Sequence, residues 1–376
     1  MKVSLWQRRA WIAPVVCVAL CAVAAHSARA EADKITLVKN KESITGKITK
    51  DDKDGLEIEV GGGARRTFNS AEIADLDWDV STEGFHEGVN AFRARAYSRA
   101  ADSLQGLIDQ KELMDQVRAV ARPYILYLFA ECKFRGGNLA EATVAYQHLI
   151  SAFPNSRYTP MALTNMADSA IQSKAFDKLT PILTQLRTGG PDQKQLADYF
   201  EGEALFVQNK PAEALKRYDN AAGGTVLRVK AMALAGKARC LFAAGDAGKA
   251  RDAAQSALAL SPPDNICAIA HTIVGDAILA EAESKKLAGA PLVDALMDAI
   301  LEFLRVQTQY PSDANTEGYA VLRAAECFKR LSKLPGRTGG DDQTRAVALL
   351  GRLSSERRFA NTEYPNKAFK QLDEMK

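Results

Sequence analysis

The side chains that most often carry chemistry are few and scattered in this chain. His86, His148 and His271 are far apart, and none has a metal-ligating side chain three or four residues further on. The sequence lacks a Gly-x-Ser-x-Gly elbow, a His-Glu-x-x-His pair and a phosphate-binding glycine loop at the start of a helix. Gly61–Gly63 lies between predicted strands and is typical of a turn. We therefore expect no enzymatic activity, no metal site and no cofactor.

Cysteine chemistry is also not indicated beyond residue 30. Four cysteines occur there, each inside an apolar helical stretch and without a Cys-x-x-Cys pair: Cys132, Cys240, Cys267 and Cys327. Isolated cysteines of this kind pack as small apolar side chains, so we expect them to be buried. The spacing leaves open whether any of them form disulfides.

The elements that would position a site recur at a fixed interval. Equivalent positions of a short pattern are 37, 35 and 36 residues apart, at Ala142, Leu179, Ala214 and Ala250. Each copy of the pattern begins five residues earlier, at Gly137, Lys174, Asn209 and Gly245. A period in this range predicts stacked helix-turn-helix units.

These units occupy residues 81–376 and predict a mainly α fold. Their starts lie near residues 82, 120, 158, 193, 229, 265 and 316, which gives about seven helix pairs with the last two divergent. No single pair can bury its apolar face alone, so stability would come from stacking on neighbours. In the sixth unit we expect an insertion, Ser284–Pro291, between the two helices.

Residues 31–80 follow a different pattern. Short runs that alternate apolar and polar residues are separated by turn signals, at residues 35–38, 43–48, 56–60, 66–68 and 73–78. Residues 70–73 are typical of a single capped turn. Five short strands predict a small SH3/Sm-like β module, which should lean on the first helices because its own core is modest.

The first 30 residues predict export. A basic start precedes an apolar run over residues 10–25, and Ala28-Arg29-Ala30 offers small residues for cleavage after Ala30. We expect a periplasmic or secreted protein with no stable membrane insertion after cleavage. Removing this segment takes away four of the 49 basic residues and none of the 46 acidic ones, which leaves a net charge near −1. No basic groove with interleaved aromatic residues is present, so we expect no nucleic-acid partner.

The helical part resembles tetratricopeptide repeat proteins of the exported bacterial cell-envelope type. The residues that carry the resemblance are Ala130, Ala142, Pro154, Ala167, Leu179, Pro191, Gly202, Ala214, Ala238, Ala250 and Pro262. The family's aromatic or large apolar position is occupied by Tyr146, Leu183, Tyr218 and Ala254. The chain departs from the family in lacking its early tryptophan. The resemblance implies an α-solenoid whose first helices line a concave groove.

Under this resemblance two rows of side chains would face the groove. One position along the first helices gives a mostly acidic row: Glu131, Asp168, Glu203, Arg239, Asp276 and Glu326. A second position gives Phe134, Ile171, Phe206, Phe242 and Leu279, with further aromatic area from Tyr124, Tyr127 and Tyr199. Such a groove would have an apolar floor and an acidic rim, suited to a peptide with basic and apolar side chains. The alternative is that the apolar row packs in the core and the acidic row is a solvated face. An error of one residue in the assigned helix register would turn each side chain by about 100° and remove it from the groove.

Together these patterns predict a non-catalytic exported scaffold that binds a partner protein or peptide in cell-envelope assembly. Two alternatives stay open. One is a structural protein that self-assembles into a homo-oligomer, and the other is a peptidoglycan or carbohydrate binder that acts through the β module around Trp78. The sequence does not identify the partner.

Overall fold

A computed structural model describes residues 32–310, 313–335 and 339–375 of the chain. The predicted signal peptide, residues 1–30, lies outside these described residues together with its cleavage point. The chain divides into two compact units, Met1–Ser169 and Ala170–Lys376. The β-sheet and the first helices belong to the first unit, and the later helices belong to the second.

The N-terminal part of the first unit is a five-stranded antiparallel sheet. Its strands are β1 (Asp33–Leu37), β2 (Ser43–Asp52), β3 (Gly55–Val60), β4 (Ala64–Phe68) and β5 (Ile73–Asp77). Their order across the sheet is β4-β3-β2-β1-β5. A 3₁₀ turn, Ser70–Glu72, precedes β5, and Asn69 and Glu72 form a capping box at its start. The predicted strands and the capped turn are thus confirmed.

Strand β2 bends so that it pairs with two neighbours in succession. Residues 43–46 pair with β1, whereas residues 47–52 pair with β3 and contain a bulge between Ile48 and Lys50. A Cβ atom at Gly46 would overlap the carbonyl oxygen of Glu59. The glycine therefore permits the close approach of strands that the curvature of this small sheet requires.

Sixteen α-helices follow in the described part of the chain. They are α1 (Glu83–Arg93), α2 (Tyr97–Asp109), α3 (Lys111–Gln116), α4 (Arg122–Arg135), α5 (Leu139–Ala152), α6 (Thr159–Gln172), α7 (Phe176–Thr188), α8 (Pro191–Val207), α9 (Pro211–Ala222), α10 (Leu227–Ala243), α11 (Ala247–Leu258), α12 (Asp264–Ser284), α13 (Gly289–Thr308), α14 (Ala314–Leu331), α15 (Gly339–Ser355) and α16 (Tyr364–Asp373). Fourteen of them follow along the chain in the order of first and second helices that the spacing predicts. The short helix α3 and the last helix α16 stand outside these pairs, and the sequence pattern did not predict them. The mainly α fold is confirmed.

The turn inside a pair has the same backbone geometry in six of the described pairs. The second residue after the first helix has a positive φ, at Arg95, Gly137, Lys174, Asn209, Gly245 and Lys286. The following N–H then donates to a carbonyl oxygen five residues back, for example from Asn138 to Lys133 at 2.9 Å. Four of these residues begin the copies of the repeated sequence pattern, so the sequence period marks this helix-ending turn.

The sixth pair differs from the prediction. Helix α12 has 21 residues and α13 has 20, and the connection between Ser284 and Gly289 is short. Of the eight residues expected as an insertion at Ser284–Pro291, four therefore lie within the two helices and only four, residues 285–288, form the connection. Among the described residues, α12 is the one helix long and apolar enough to cross a membrane, but 72% of its apolar window is buried, as in a core helix.

The sheet and the first helices share one hydrophobic core. Ile35, Ile48 and Leu56 from the sheet belong to the same buried cluster as Phe85 and Leu104 from α1 and α2. The expectation that the β module leans on the first helices is therefore confirmed. Whether residues 31–80 are a domain of their own stays a prediction.

Two ion pairs also join the sheet to the helical part of the first unit. Asp33 is buried, accepts a hydrogen bond from the Ile48 N–H at 2.7 Å and pairs with Arg118. Asp51 is buried at the end of β2 and pairs with Arg157, with 3.2 Å between Oδ1 and the guanidinium nitrogen. Removing one partner of such a buried pair leaves an uncompensated charge, so these contacts fix where the sheet docks.

Candidate binding surface

In the first unit, the predicted groove residues of α4 share one helix face. Tyr124, Tyr127, Glu131 and Phe134 are spaced by three or four residues, as side chains on one side of an α-helix must be. The three aromatic side chains are half-buried, whereas Glu131 is only 3% exposed. The aromatic rings therefore remain partly accessible and the carboxylate does not.

The aromatic side chains of this face form a continuous row. The rings of Tyr124 and Tyr127 lie 5.8 and 5.0 Å from the ring of Tyr158, and the Tyr127 ring stacks on it at 21°. Tyr146 lies 6.3 Å from Tyr127 and 6.5 Å from Phe134. Burial raises the pKa of Tyr124 to about 12, so its hydroxyl stays protonated at neutral pH. We call Tyr124, Tyr127 and Phe134 the aromatic row.

Glu131 is held by hydrogen bonds from three helices. Its Oε1 atom accepts from the Tyr146 hydroxyl at 2.7 Å and from the Asn165 side chain, and its Oε2 atom accepts from Arg135 at 2.9 Å. Asn165 also donates to the Tyr146 hydroxyl at 2.9 Å. These contacts join α4 to α5 and α6.

In the second unit, Glu203 makes an equivalent network. Its Oε1 atom accepts from the Tyr218 hydroxyl at 2.7 Å and also from Arg239, which in turn donates to Tyr218 at 3.0 Å. The Arg239 guanidinium lies 4.6 Å from the ring centroid of Phe206. The network joins α8, α9 and α10, and Arg239 covers one face of the predicted groove residue Phe206.

Asp276 on α12 forms a third network of the same kind. Its carboxylate accepts from the Tyr319 hydroxyl at 2.7 Å and from Arg323 Nε at 2.8 Å, both on α14. Burial raises the pKa of Asp276, although the hydrogen bond from Tyr319 and the charge of Arg323 oppose the shift.

These networks correct the predicted acidic rim. Glu131 and Asp276 are 3% and 6% exposed, and the Glu203 side chain is 16% exposed. Each carboxylate lies where a tyrosine and a side chain of another helix converge on it, so its charge is satisfied inside the protein rather than offered to a ligand. These three carboxylates therefore lie deeper than a solvent-facing rim requires, and a binding role for the helix face that carries them stays a prediction.

The remaining predicted residues are buried or half-buried. Tyr199, Ile171 and Leu279 are buried. Phe242 is half-buried and packs against the cluster formed by α10, α11 and α12. Asp168 is half-buried on α6 and has an electrostatic or hydrogen-bonding partner. A binding role for any of the predicted groove residues stays a prediction.

The alternative of a carbohydrate site around Trp78 is not supported by the position of that side chain. Trp78 is 3% exposed, and its ring lies 6.4 Å from Tyr124 and 5.8 Å from the Arg118 guanidinium. A buried indole cannot stack on a sugar ring, so Trp78 is a core residue between the sheet and α4.

The sequence patterns did not identify several of the side chains that form the hydrogen bonds of these networks. Tyr146 and Tyr218 were recognised only as large side chains, and Asn165 and Tyr319 were not singled out. A usable signal exists, because the tyrosine follows the glutamate by 15 residues in both the Glu131 and the Glu203 networks.

The cysteines show no sign of reactivity among the described residues. Cys132, Cys240, Cys267 and Cys327 are buried and free, as expected of small apolar side chains. Burial raises the pKa of Cys132 and of Cys327 to about 12, which keeps both thiols protonated. Within the residues that the structure covers, no group of three or more His, Cys, Asp or Glu side chains could hold a metal ion.

Comparison with known proteins identifies one repeat by sequence. Residues 124–156, which span most of α4 and α5, match the family model described as Tetratricopeptide repeat. No curated protein matches the chain in sequence.

Solved structures resemble the chain at low identity. PilW, described as a widely conserved type IV pilus biogenesis factor, is 18% identical over 67% of this chain and 100% of its own, with a TM-score of 0.45. A tetratricopeptide repeat protein from Parabacteroides merdae is 15% identical over 77% of this chain and 96% of its own, with a TM-score of 0.48. Human IFIT1, solved as a dimer with m7Gppp-AAAA, is 15% identical over 76% of this chain and 67% of its own, with a TM-score of 0.46. At these scores the likenesses carry no argument about function.

Proposed function

Starting from a chain that carries a tetratricopeptide repeat within an array of helix-turn-helix pairs, we propose that it is a non-catalytic, exported scaffold that binds a partner protein or peptide. The binding surface is the face of α4 that carries the aromatic row. Cell-envelope assembly is the process in which such an exported scaffold would act.

The observation that carries this proposal is the incomplete burial of the aromatic row. Tyr124, Tyr127 and Phe134 lie on the same side of α4 and remain half-buried, within the repeat that matches the family model. Aromatic side chains with accessible faces are the groups that most often dominate the binding energy of protein interfaces. A partner that covers them would gain most of its affinity from this row.

The burial of the Glu131 carboxylate limits which side chains a partner can pair with at this surface. Because Glu131 is buried and bonded to Tyr146, Asn165 and Arg135, it offers no open carboxylate to a basic side chain. The partner at this face is therefore one that presents apolar or aromatic side chains rather than the basic ones that the sequence predicts.

Export is part of the proposal and rests on the sequence of residues 1–30. Its test is N-terminal sequencing of the protein recovered from an envelope fraction. We expect the mature chain to begin at Glu31, and recovery of an intact Met1 terminus in the cytoplasm would contradict export.

Site-specific photo-crosslinking tests the binding surface without removing an aromatic ring. Phe134 is replaced by p-benzoylphenylalanine, which keeps an aromatic side chain at this half-buried position. The matched control carries the same group at Leu227 on α10, which is 62% exposed, belongs to the other unit and lies outside the aromatic row. After irradiation of an envelope extract, we expect a discrete protein adduct at position 134 that is missing at position 227.

The outcome separates the proposal from its alternatives. Adducts of equal pattern and yield at both positions would indicate indiscriminate contact and would overturn the proposal. An adduct of two copies of this chain would favour the self-assembling structural protein instead.

A further inference from the structure

The second unit contains an open cleft between α14 and the last helix, α16. Its volume is ≈ 700 Å³, and its lining includes Tyr319 and Leu322 from α14. Two contacts link the helices across its floor: Gln371 donates to Glu326 at 3.0 Å, and Lys329 pairs with Glu374 at 2.9 Å. We call this space the terminal cleft.

The charge of the terminal cleft is strongly unbalanced. Six cationic side chains line it against only two carboxylates, Glu326 and Glu374. The cations are Arg323, Lys329, Arg330, Lys333, Lys367 and Lys370. The lining itself carries an excess of four positive charges, which is partly offset by three carboxylates outside the lining, Asp276, Glu283 and Glu363, that pair with cations of the cleft.

Four of these cations form ion pairs, and the other two act at longer range on Glu374, which already pairs with Lys329. Arg323 pairs with Asp276 and Glu326, Arg330 with Glu283 at 2.9 Å, and Lys367 with Glu363 at 2.7 Å. Lys333 and Lys370 are exposed and make no ion pair with any carboxylate in the described part of the chain. Lys370 lies on α16 and Lys333 lies in the turn that follows α14, so a ligand in the cleft can reach both.

We propose that the terminal cleft is a docking site for an acidic segment of the partner protein. Asp or Glu side chains of that segment pair with Lys333 and Lys370, and an apolar side chain between them covers the accessible part of Tyr319. Charge complementarity selects this occupant, because two unpaired cations flank a wall that also has apolar groups. The inference rests on the proposed function, since it adds a second contact, with its own chemistry, for the same class of partner.

This assignment reverses the electrostatics predicted from the sequence at this end of the chain. Glu326 belonged to the predicted acidic rim, yet it is bonded to Arg323 and Gln371 and surrounded by lysines. The predicted row takes one position from each first helix. The cations come from other positions of α14, from the turn after it and from α16, a helix that the repeat pattern did not predict.

Fluorescence anisotropy with a defined probe tests the proposal. The probe is a short fluorescein-labelled peptide in which Glu and Asp alternate with Leu and Gly, and a peptide with Lys in place of the acidic residues serves as its counterpart. The double variant K333E/K370E should weaken binding of the acidic peptide at least about tenfold. K333R/K370R should retain it, and raising the ionic strength should weaken it.

The matched control is K194E/K216E. It makes the same change in net charge at two exposed lysines of the second unit that have no ion pair in the described residues. We expect it to bind the acidic peptide as the native protein does. Equal weakening of acidic-peptide binding by K194E/K216E would overturn the proposal, because long-range attraction to the charge of the whole protein would then be enough to explain the binding.

Two further outcomes would also overturn the docking site. One is binding of the lysine peptide as strongly as the acidic one. The other is binding of phosphatidylglycerol vesicles, but not of the acidic peptide, through Lys333 and Lys370, which would assign the cleft to a membrane surface. If the peptide tests rule out the terminal cleft but the crosslinked adduct at position 134 persists, the proposed function stands. If only the adduct at position 134 is absent, the proposed function is wrong.

Discussion

Tyr218 donates its hydroxyl hydrogen to Glu203 over 2.7 Å, and Tyr146 does the same to Glu131 over 2.7 Å. In both cases the tyrosine follows the glutamate by 15 residues, from the second helix of a pair back to the first. A side chain of the next first helix completes each network, Asn165 in one and Arg239 in the other. The glutamate thus ties neighbouring pairs together, which is why it lies inside the protein.

Removing the hydroxyl of Tyr218 should destabilise the second unit. In Tyr218→Phe the ring still packs, but buried Glu203 loses one of its two donors, at a cost of about 1–3 kcal/mol. Tyr364→Phe is the matched control, because no hydroxyl hydrogen bond of Tyr364 occurs in the described residues. Urea unfolding followed by circular dichroism measures both, and an equal effect of the two changes would contradict a structural role for the Tyr218–Glu203 bond.

The ring of Tyr218 also needs a glycine beneath it. A Cβ atom at Gly202 would lie 2.8 Å from Cε1 of this fully buried ring, too close for contact. We expect Gly202→Ala to destabilise the protein by about 1–3 kcal/mol, despite the better helix propensity of alanine.

A second glycine provides the control for that change. Gly351 on α15 has no heavy atom within 4 Å of the equivalent Cβ position, so Gly351→Ala should stabilise the protein by about 0.5–1 kcal/mol. Opposite signs in thermal unfolding are expected. If both alanines stabilised the protein, the close packing of Tyr218 against α8 would be wrong.

Some helix-ending turns contain a non-glycine residue in an unfavourable backbone conformation. Lys286 has a φ of 51°, a left-handed conformation that glycine adopts more readily. Lys286→Gly should therefore stabilise the protein by about 0.5–1 kcal/mol. Lys285→Gly, at a φ of −80°, should destabilise it, and a lower melting temperature for Lys286→Gly would contradict the assigned turn.

The contact between β2 and the α5–α6 connection should respond to pH. Burial raises the pKa of Asp51 from 3.8 to about 6, although Arg157 and Tyr158 oppose the shift. The folded state therefore holds the Asp51 proton more tightly than the unfolded chain. Its contribution to the free energy of unfolding falls by about 3 kcal/mol as pH rises from about 4 to above 6.

The comparison of native protein with Asp51→Asn isolates this contribution from that of other carboxylates. We expect the native protein to lose stability relative to the variant as pH rises from 4 to 7. Asp54→Asn, at the exposed tip of the same hairpin, controls for the change in net charge. A stability difference that is independent of pH would show that Asp51 is not the titrating group.

Much of the fold could be predicted because its signals are local. The repeated pattern begins at residues such as Gly137 and Asn209, which have positive φ and lie in helix-ending turns. The sequence period therefore reflects the spacing of these turns along the chain. The five strands were visible from their alternation and turn residues. The final helix α16 and the short α3 carry neither signal, and both were missed.

The candidate site could be predicted only in part, because the burial of a side chain is not determined by its local sequence. The spacing placed Glu131 and Tyr127 on one helix face correctly. It could not show that Tyr146 and Asn165, 15 and 34 residues further on, would cover the carboxylate and leave the aromatic rings accessible. Burial of that kind depends on helices that meet only in the folded protein.

The most direct test of the central claim is the affinity of the partner crosslinked at position 134 for variants of the aromatic row. Isothermal titration calorimetry would compare the native protein with Tyr124→Ser/Tyr127→Ser and with Val144→Ser, the latter removing a 71% exposed apolar side chain from α5. Circular dichroism establishes that each variant is folded. We predict a loss of about thirtyfold or more for the tyrosine variant and none for Val144→Ser, whereas unchanged affinity in a folded tyrosine variant would contradict the account.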